Sequence, residues 1–388
     1  MSQPAESIRP FLLDEFLRPI WKFLRYSGFQ HGFLGPAEER RVFHILRCVS
    51  TTLIILSLFN LEIFELVVLV RVLPAWENSH AVIMNIYIWL CLIMPLAFLL
   101  QLYWRHGRVV EFLNDWKRLE TSFHHRCHQS GTLRLVAVVK YFFLAWFLTA
   151  PSLCVFWNQW SPDASFFLSS VRILRDTFGV HFLAAVQAVW LYYVIALIWL
   201  SEIIPAFIFY HAGILIDNLT LELDDCSASI LPANENPYRF LWKRYESIQR
   251  LVNRANQLFG ATVNINYLCY ICITCLCVYG IVKSDCDHVT RMTCLSILFW
   301  AVLRTVVCDW LFSYLHASCG RLQETVSTCL SDNWHFMSQE ERDFLVCFSM
   351  RLARGATVAC PLNLLPMARP NLLLLSIFYA IYTIVILN

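Results

Sequence analysis

Long runs of apolar residues, separated by polar and charged connections, dominate the pattern of this chain. A helix needs about 20 predominantly apolar residues to cross a bilayer. The pattern therefore predicts an all-α membrane protein with seven transmembrane helices, at about residues 42–70, 81–104, 133–157, 181–210, 257–283, 293–316 and 363–387. Several runs exceed the required length, so we expect those helices to tilt or to project from the membrane.

The last apolar run, residues 363–388, carries a stripe of small and polar residues. Ser376, Ala380, Thr383 and Leu387 recur at spacings of four, three and four, which places them on one face of a helix. Two interpretations follow. The stripe is a seam where small residues let helices pack closely, or it faces a symmetry axis and lines a narrow pore.

Lysine and arginine are unequally divided between the two sets of connections, and this bias sets orientation. The segment 1–41 and the second, fourth and sixth loops hold twenty of these residues, whereas the other three loops hold four. We therefore predict a cytoplasmic N-terminus and an extracellular C-terminus. This orientation is the reverse of that of a G-protein-coupled receptor.

Composition supports the membrane assignment. The chain is 58% hydrophobic and 15% charged, with a mean hydropathy of +0.55. Soluble domains have about 45–50% apolar and 25% charged residues. The net charge of +2 is too small to favour a nucleic-acid partner.

No motif for catalysis, a metal or a cofactor stands out. Cys269, Cys272, Cys275 and Cys277 are spaced like the start of an iron–sulfur run, but they lie in an apolar helix, so we interpret them as buried inert thiols. No Ser-His-Asp grouping, H-E-x-x-H motif or phosphate-binding glycine loop is present. We expect neither enzyme activity nor a cofactor.

Two cytoplasmic connections, residues 211–256 and 317–362, predict helices of their own. The stretch 238–260 is basic and amphipathic and continues into the fifth span, and Ser338 to Glu341 fits a capping box. We expect these helices to pack together beneath the membrane as an anchor. Internal repeats and low-complexity linkers are absent, so residues 1–388 are predicted to form a single domain.

Aromatic and amphipathic side chains in the outer and central parts of the spans are candidates for a small-molecule pocket. Such pockets are mostly apolar with a few polar contacts. The candidates are Trp146, Gln187, Trp190, Tyr193, Tyr270 and Trp300. For any single one of them, interface anchoring and helix packing are the favoured explanation.

Two charged residues within the spans predict a buried ion pair. Lys140 and Glu202 lie seven and eight residues from the cytoplasmic ends of the sequential third and fourth spans, at matched depth. Pairing relieves much of the cost of a charge inside a membrane. Asp309 is the competing partner, and the alternative is that Lys140 extends to the interface.

These features together resemble the insect chemoreceptor superfamily, and the local pattern is similar to its gustatory receptor branch. The segment 256–260 matches the N-x-x-F-G that opens the family's fifth span, and the capped helix, residues 362–365 and a final apolar helix follow its C-terminal layout. The family's terminal signature, Thr-Tyr followed after five apolar residues by Gln-Phe, is not intact in this chain. The position of its threonine falls near Ser376, and that of its Gln-Phe falls near Thr383.

The resemblance implies a homo- or heterotetrameric, ligand-gated, non-selective cation channel in the plasma membrane of sensory neurons. Each subunit would contribute its last helix, 363–388, to a central pore and hold a small-molecule ligand within its own helix bundle. The implied function is taste, and an odorant receptor subunit is the alternative. A transporter and a G-protein-coupled receptor are further alternatives.

Overall fold

The computed structural model describes residues 49, 51–60, 63, 66–67, 70, 79–122, 180–228, 237–282, 288–335 and 337–354. All regular secondary structure in these ranges is helical. Besides a short helical segment, Thr51–Asn60, the helices are α1 Ser79–Trp104, α2 His106–Ser122, α3 Val180–Ala228, α4 Pro237–Val282, α5 His288–Asp332 and α6 Gln339–Arg354.

Three of these helices are much longer than a bilayer is thick. α3, α4 and α5 contain 49, 46 and 45 residues, which corresponds to about 70 Å each, against about 30 Å for the hydrocarbon core. Within the described chain, each holds a stretch long and apolar enough to cross a membrane, namely Tyr193–Asp224, Tyr238–Val282 and Cys294–Asp332. The predicted all-helical membrane fold, with later helices that extend beyond their spans, is confirmed.

The chain divides into two compact units, each described by itself. One unit comprises Met1–Cys127 together with Glu202–Asn388, and the other comprises His128–Ser201. The described part of the second unit is the beginning of α3, where the Ser201 hydroxyl donates a hydrogen bond to the carbonyl of Ile198. The remaining helices and the rest of α3 belong to the first unit.

Helix α4 is the central element of the first unit, where it contacts α1, α2, α5 and α6. Its first half buries residues at alternating spacings of three and four, the period of one helical face. These residues are Tyr245, Ile248, Val252, Ala255 and Phe259. The sequence of α4 therefore orients it by an apolar stripe before it enters the membrane.

Helix α6 begins with the predicted capping box and packs on α4. The backbone N–H of Glu341 donates to the Ser338 hydroxyl at 3.3 Å, and the N–H of Ser338 donates to the Glu341 carboxylate at 2.8 Å. Phe348 then lies 5.2 Å from the ring of Trp242 and 5.4 Å from that of Tyr245. The structure contains the predicted cap, and the helix that begins there packs against the first part of α4, whereas the cytoplasmic placement of these helices stays a prediction.

Candidate functional site

A polar cavity lies among the apolar parts of α3, α4 and α5. All three helices contribute charged or polar side chains to a lining that is otherwise apolar. The lining residues are Glu202, Val263, Asn266, Tyr267, Tyr270, Arg304, Cys308 and Phe312. Ionisable residues within membrane spans are costly and mark functional sites more often than other positions do.

An ion pair between Glu202 of α3 and Arg304 of α5 forms one wall of this cavity. The Arg304 Nε lies against Glu202 Oε2, and the two residues are only 7% and 9% exposed respectively. The Cys308 thiol, one turn further along α5, lies 3.8 Å from the same carboxylate oxygen. Separating the two helices at this point would leave two unpaired charges in an apolar environment, which is costly. The ion pair therefore favours the packing of α3 against α5.

Tyr270 connects α4 to this pair. Its ring lies under the guanidinium of Arg304, with the Cζ atom 4.5 Å from the ring centroid, and a cation over an aromatic face is attracted by the ring quadrupole. The hydroxyls of Tyr267 and Tyr270, and the second carboxylate oxygen of Glu202, are buried and have no hydrogen-bond partner among the described residues. Buried polar atoms of this kind are usually satisfied by water.

The size of the cavity agrees with hydration. Its volume is about 30 Å³, and a buried water needs roughly 10–15 Å³. One or two water molecules therefore fit beside the ion pair, whereas a drug-sized ligand occupies several hundred Å³. In this conformation the cavity is suited to hold water around a polar cluster rather than a small-molecule ligand.

A second polar network joins α3 and α5 beyond the cavity. Asp217 accepts a hydrogen bond from the Tyr314 hydroxyl at 2.6 Å and three from Arg321, one from Nε at 3.2 Å and two from Nη2 at 2.9 and 2.8 Å. The two helices cross closely at Gly213, which has no side chain to keep them apart. A β-carbon at this position would lie only 3.2 Å from the backbone of Leu315. This crossing fixes the rotation of α3 relative to α5, and so helps to bring Glu202 to Arg304.

A buried histidine joins α2 to α3. Trp116 Nε1 donates a hydrogen bond to His211 Nδ1 at 2.8 Å, and the other ring nitrogen lies 3.8 Å from the Glu120 carboxylate. Because Nδ1 accepts, the geometry fits a neutral imidazole with its proton on Nε2. The histidine therefore acts as a polar link between two helices.

The structure describes part of the predicted ligand pocket. Tyr270 lines the polar cavity, and Trp300 packs edge-on against Phe299 at 5.8 Å. Tyr193 is half-buried and lies in the other compact unit. Gln187 and Trp190 lie on α3 and their side chains are outside the described set, as is all of Trp146.

The predicted pore and one half of the predicted ion pair lie outside the described residues. This applies to Ser376, Ala380, Thr383 and Leu387, and also to Lys140. Glu202 pairs with Arg304, a partner that sequence reasoning missed, and its pairing with Lys140 stays a prediction. The signal for Arg304 was present, since it is an arginine inside a predicted span.

Comparisons with known proteins agree with this architecture. The family model described as 7tm Chemosensory receptor matches residues 17–331. No curated protein sequence is significantly similar to the chain.

Two solved structures of the insect olfactory receptor OR5 from Machilis hrabei share the fold. The structure in complex with eugenol has a TM-score of 0.70 at 13% identity, and covers 96% of this chain and 98% of that one. The other OR5 structure has a TM-score of 0.66 at 15% identity, and covers 97% and 98%. From the family match over most of its length, the chain belongs to the 7tm Chemosensory receptor family of insects, which are receptors rather than enzymes.

Proposed function

We propose that this protein is a subunit of a ligand-gated, non-selective cation channel that small-molecule tastants open. The family match over residues 17–331 is the observation that carries this proposal. Its fold likeness to an olfactory receptor determined in complex with eugenol supports a small-molecule ligand. Taste is favoured by the N-x-x-F-G segment at 256–260. An odorant receptor subunit is the second candidate, because the similar solved structures are olfactory receptors.

The proposed channel is a homo- or heterotetramer in the plasma membrane, with its N-terminus in the cytosol. The last helix of each subunit, residues 363–388, would line the pore, with Ser376, Ala380 and Thr383 facing the axis and Leu387 near the external mouth. A ring of hydroxyls lowers the cost of a hydrated cation, and an apolar ring can gate by dewetting.

The proposed ligand site lies in the outer and central parts of each subunit's bundle. It comprises the predicted set Trp146, Gln187, Trp190, Tyr193, Tyr270 and Trp300. The hydrated Glu202–Arg304 cluster would hold α3, α4 and α5 in register. Tyr270 belongs to both groups, so in this proposal it contributes to ligand contact and to helix register.

Whole-cell recording from cells that express the protein tests the channel function. Sugars, bitter compounds and volatiles are applied in turn, and the reversal potential is measured as sodium is exchanged for potassium. We expect a ligand-evoked current that reverses near zero in both solutions. Saturable uptake without current, or a response that requires a G protein, would contradict the proposal.

Cysteine scanning of residues 376–387 tests the pore. Thiol reagents should block the current with helical periodicity, strongest at Ser376, Ala380 and Thr383. Uniform insensitivity in channels that still conduct would instead favour the packing seam.

For the ligand site, Trp300→Ala should shift the agonist concentration dependence at normal surface expression, whereas a loss of expression alone would identify a packing residue.

A further inference from the structure

We propose that the junction of α1, α2 and α4 carries a binding site for the phosphorylated headgroup of an anionic phospholipid, of the phosphoinositide class. The site, here called the arginine patch, comprises Trp104, Arg105, Arg108, Arg118 and Arg254. None of these residues lines the polar cavity or belongs to the predicted ligand-site and pore sets.

The arginine patch lies where an apolar helix meets a polar one. The apolar segment Trp89–Trp104 ends α1, and the polar helix α2 begins at His106. Trp104 is 81% exposed, the largest exposure of any large apolar side chain described. Exposed aromatic residues at the end of an apolar helix are typical of the membrane–water interface. This places Arg105, the next residue, at headgroup level.

Helix geometry puts the cationic residues on one face. The N–H of Arg105 bonds to the carbonyl of Gln101, and the N–H of Val109 bonds to that of Arg105, so the helical path continues from α1 into α2. Arg105, Arg108, Asp115 and Arg118 are then separated by three, seven and three residues, which keeps them on one stripe.

Helix α4 contributes Arg254 to the arginine patch and contacts the segment that joins α1 and α2. The Arg105 guanidinium donates to the backbone carbonyl of Gln257, and Arg254, one turn earlier on α4, pairs with Asp115 of α2. Both links hold the α2 stripe against α4. Arg254 nevertheless keeps its side chain more than half exposed.

Charge on this surface is unbalanced. Arg254 and Arg118 share one carboxylate, because Asp115 also lies 3.7 Å from Arg118. Arg108 is exposed and has no carboxylate partner in the described chain, and Glu111, on the same stripe, is exposed without an ion pair there. Arg108, and Arg105, whose guanidinium contacts a backbone carbonyl, thus bring positive charge with no carboxylate partner in the described chain, so the surface can accept further negative charge.

A phosphoinositide headgroup fits this surface best among anionic ligands at an interface. Guanidinium groups bind phosphate oxygens through paired hydrogen bonds, and several arginines can share one multiply charged headgroup. Clusters of basic residues next to a membrane span attract anionic lipids of the cytoplasmic leaflet, and the lysine and arginine bias predicts that this face is cytoplasmic. A headgroup with several phosphate groups can contact more than one of these arginines at once, which a headgroup with a single phosphate cannot do as readily.

Binding to purified full-length protein tests the proposal independently of orientation and channel activity. A fluorescent short-chain phosphatidylinositol 4,5-bisphosphate is titrated into the protein in detergent, and its anisotropy is measured. Arg108→Gln should weaken binding about fivefold, and Arg105→Gln with Arg108→Gln about thirtyfold, as expected from roughly 1 kcal/mol per basic residue. The exposed Arg108 side chain makes no hydrogen bond or ion pair in the described chain, so its single variant should fold normally.

A matched control removes two exposed positive charges elsewhere on α4. Arg239 and Lys243 are exposed, and Lys243 lies eleven residues before Arg254, about 16 Å along the helix. Arg239→Gln with Lys243→Gln should leave binding unchanged. Equal weakening by both double variants, or none by either, would overturn the proposal. Competition by free inositol trisphosphate as strong as that by the lipid would also overturn it, by indicating a soluble-phosphate site.

Discussion

The two halves of α4 bury and expose opposite kinds of side chain. In the first half, Tyr245 and Ile248 are buried and Arg250 and Arg254 face outward, as in a helix surrounded by water. In the second half, Leu268 is 63% exposed whereas Asn266, two residues earlier, is 2% exposed. Polar groups turn inward and apolar groups outward where the surrounding solvent is lipid.

The two halves are also held by different interactions. The first half packs its aromatic rings against those of α6. The second half relies on polar contacts within the bundle, such as the N–H of Thr262 donating to the Gln101 side chain at 3.2 Å. Lipid is as apolar as a leucine side chain, so apolar burial drives association weakly there and polar groups specify which helices meet. Each half should therefore respond differently to the same kind of substitution.

The largest effect is expected from breaking the ion pair in the membrane half. Arg304→Met leaves the Glu202 carboxylate unpaired, and removing one partner of a buried pair costs about 3–5 kcal/mol of stability. The double variant Glu202→Leu, Arg304→Met should recover most of the loss, because an apolar pair of similar size is often tolerated. The midpoint of thermal unfolding in detergent measures both.

The control for this pair is Arg250→Met on the water-facing half. Arg250 is exposed and has no carboxylate partner in the described residues, so its loss should change stability by less than about 0.5 kcal/mol. If the Glu202/Arg304 double variant is as unstable as the sum of its single changes, the two side chains do not act as a pair.

The next largest effect is expected from placing a charge on the outer face of each half of α4, which tests whether that face is in contact with lipid or with water. Leu268→Lys introduces a charge on the outer face of the membrane half, where insertion costs about 2.5–3.5 kcal/mol. Asn253→Lys, at an exposed position of the first half, should be nearly neutral. Surface expression and unfolding in lipid nanodiscs measure the difference. Equal tolerance of both lysines would mean that Leu268 faces water, and the contrast between the halves would fail.

A smaller effect is expected where α3 crosses α5. A β-carbon at Gly213 would meet Cδ1 of Tyr314 at 2.7 Å as well as the Leu315 backbone, and overpacking costs about 1–3 kcal/mol. Gly213→Ala should also move Glu202 relative to Arg304. Gly320→Ala is the matched control, since nothing lies within 4 Å of its β-carbon position and alanine favours a helix by about 0.5–1 kcal/mol. Destabilisation by both changes would remove the steric explanation.

What the sequence could predict depended on the range of the interaction. The long helices, the Ser338 cap and the apolar face of α6 follow from helical periodicity and from groups three or four residues apart, and all were predicted. The partner of Glu202 was not, because it depends on how α3 and α5 rotate about their axes. That rotation is set by tertiary contacts such as the Gly213 crossing, which no local pattern encodes.

The smallest effect should stay within α6, the helix that packs on the water-facing half of α4. The Ser338 hydroxyl accepts from the N–H of Glu341 at 3.3 Å and donates to its carboxylate at 2.8 Å. Ser338→Ala removes both contacts and should cost about 1 kcal/mol, whereas Ser338→Asp, which keeps an acceptor but repels Glu341, should recover only part of the loss. Hydrogen exchange should accelerate in the first turn of α6 and remain unchanged around Asn266 and Tyr270. Faster exchange at both places would mean that α6 and the membrane half of α4 unfold as one cooperative unit, despite their different construction.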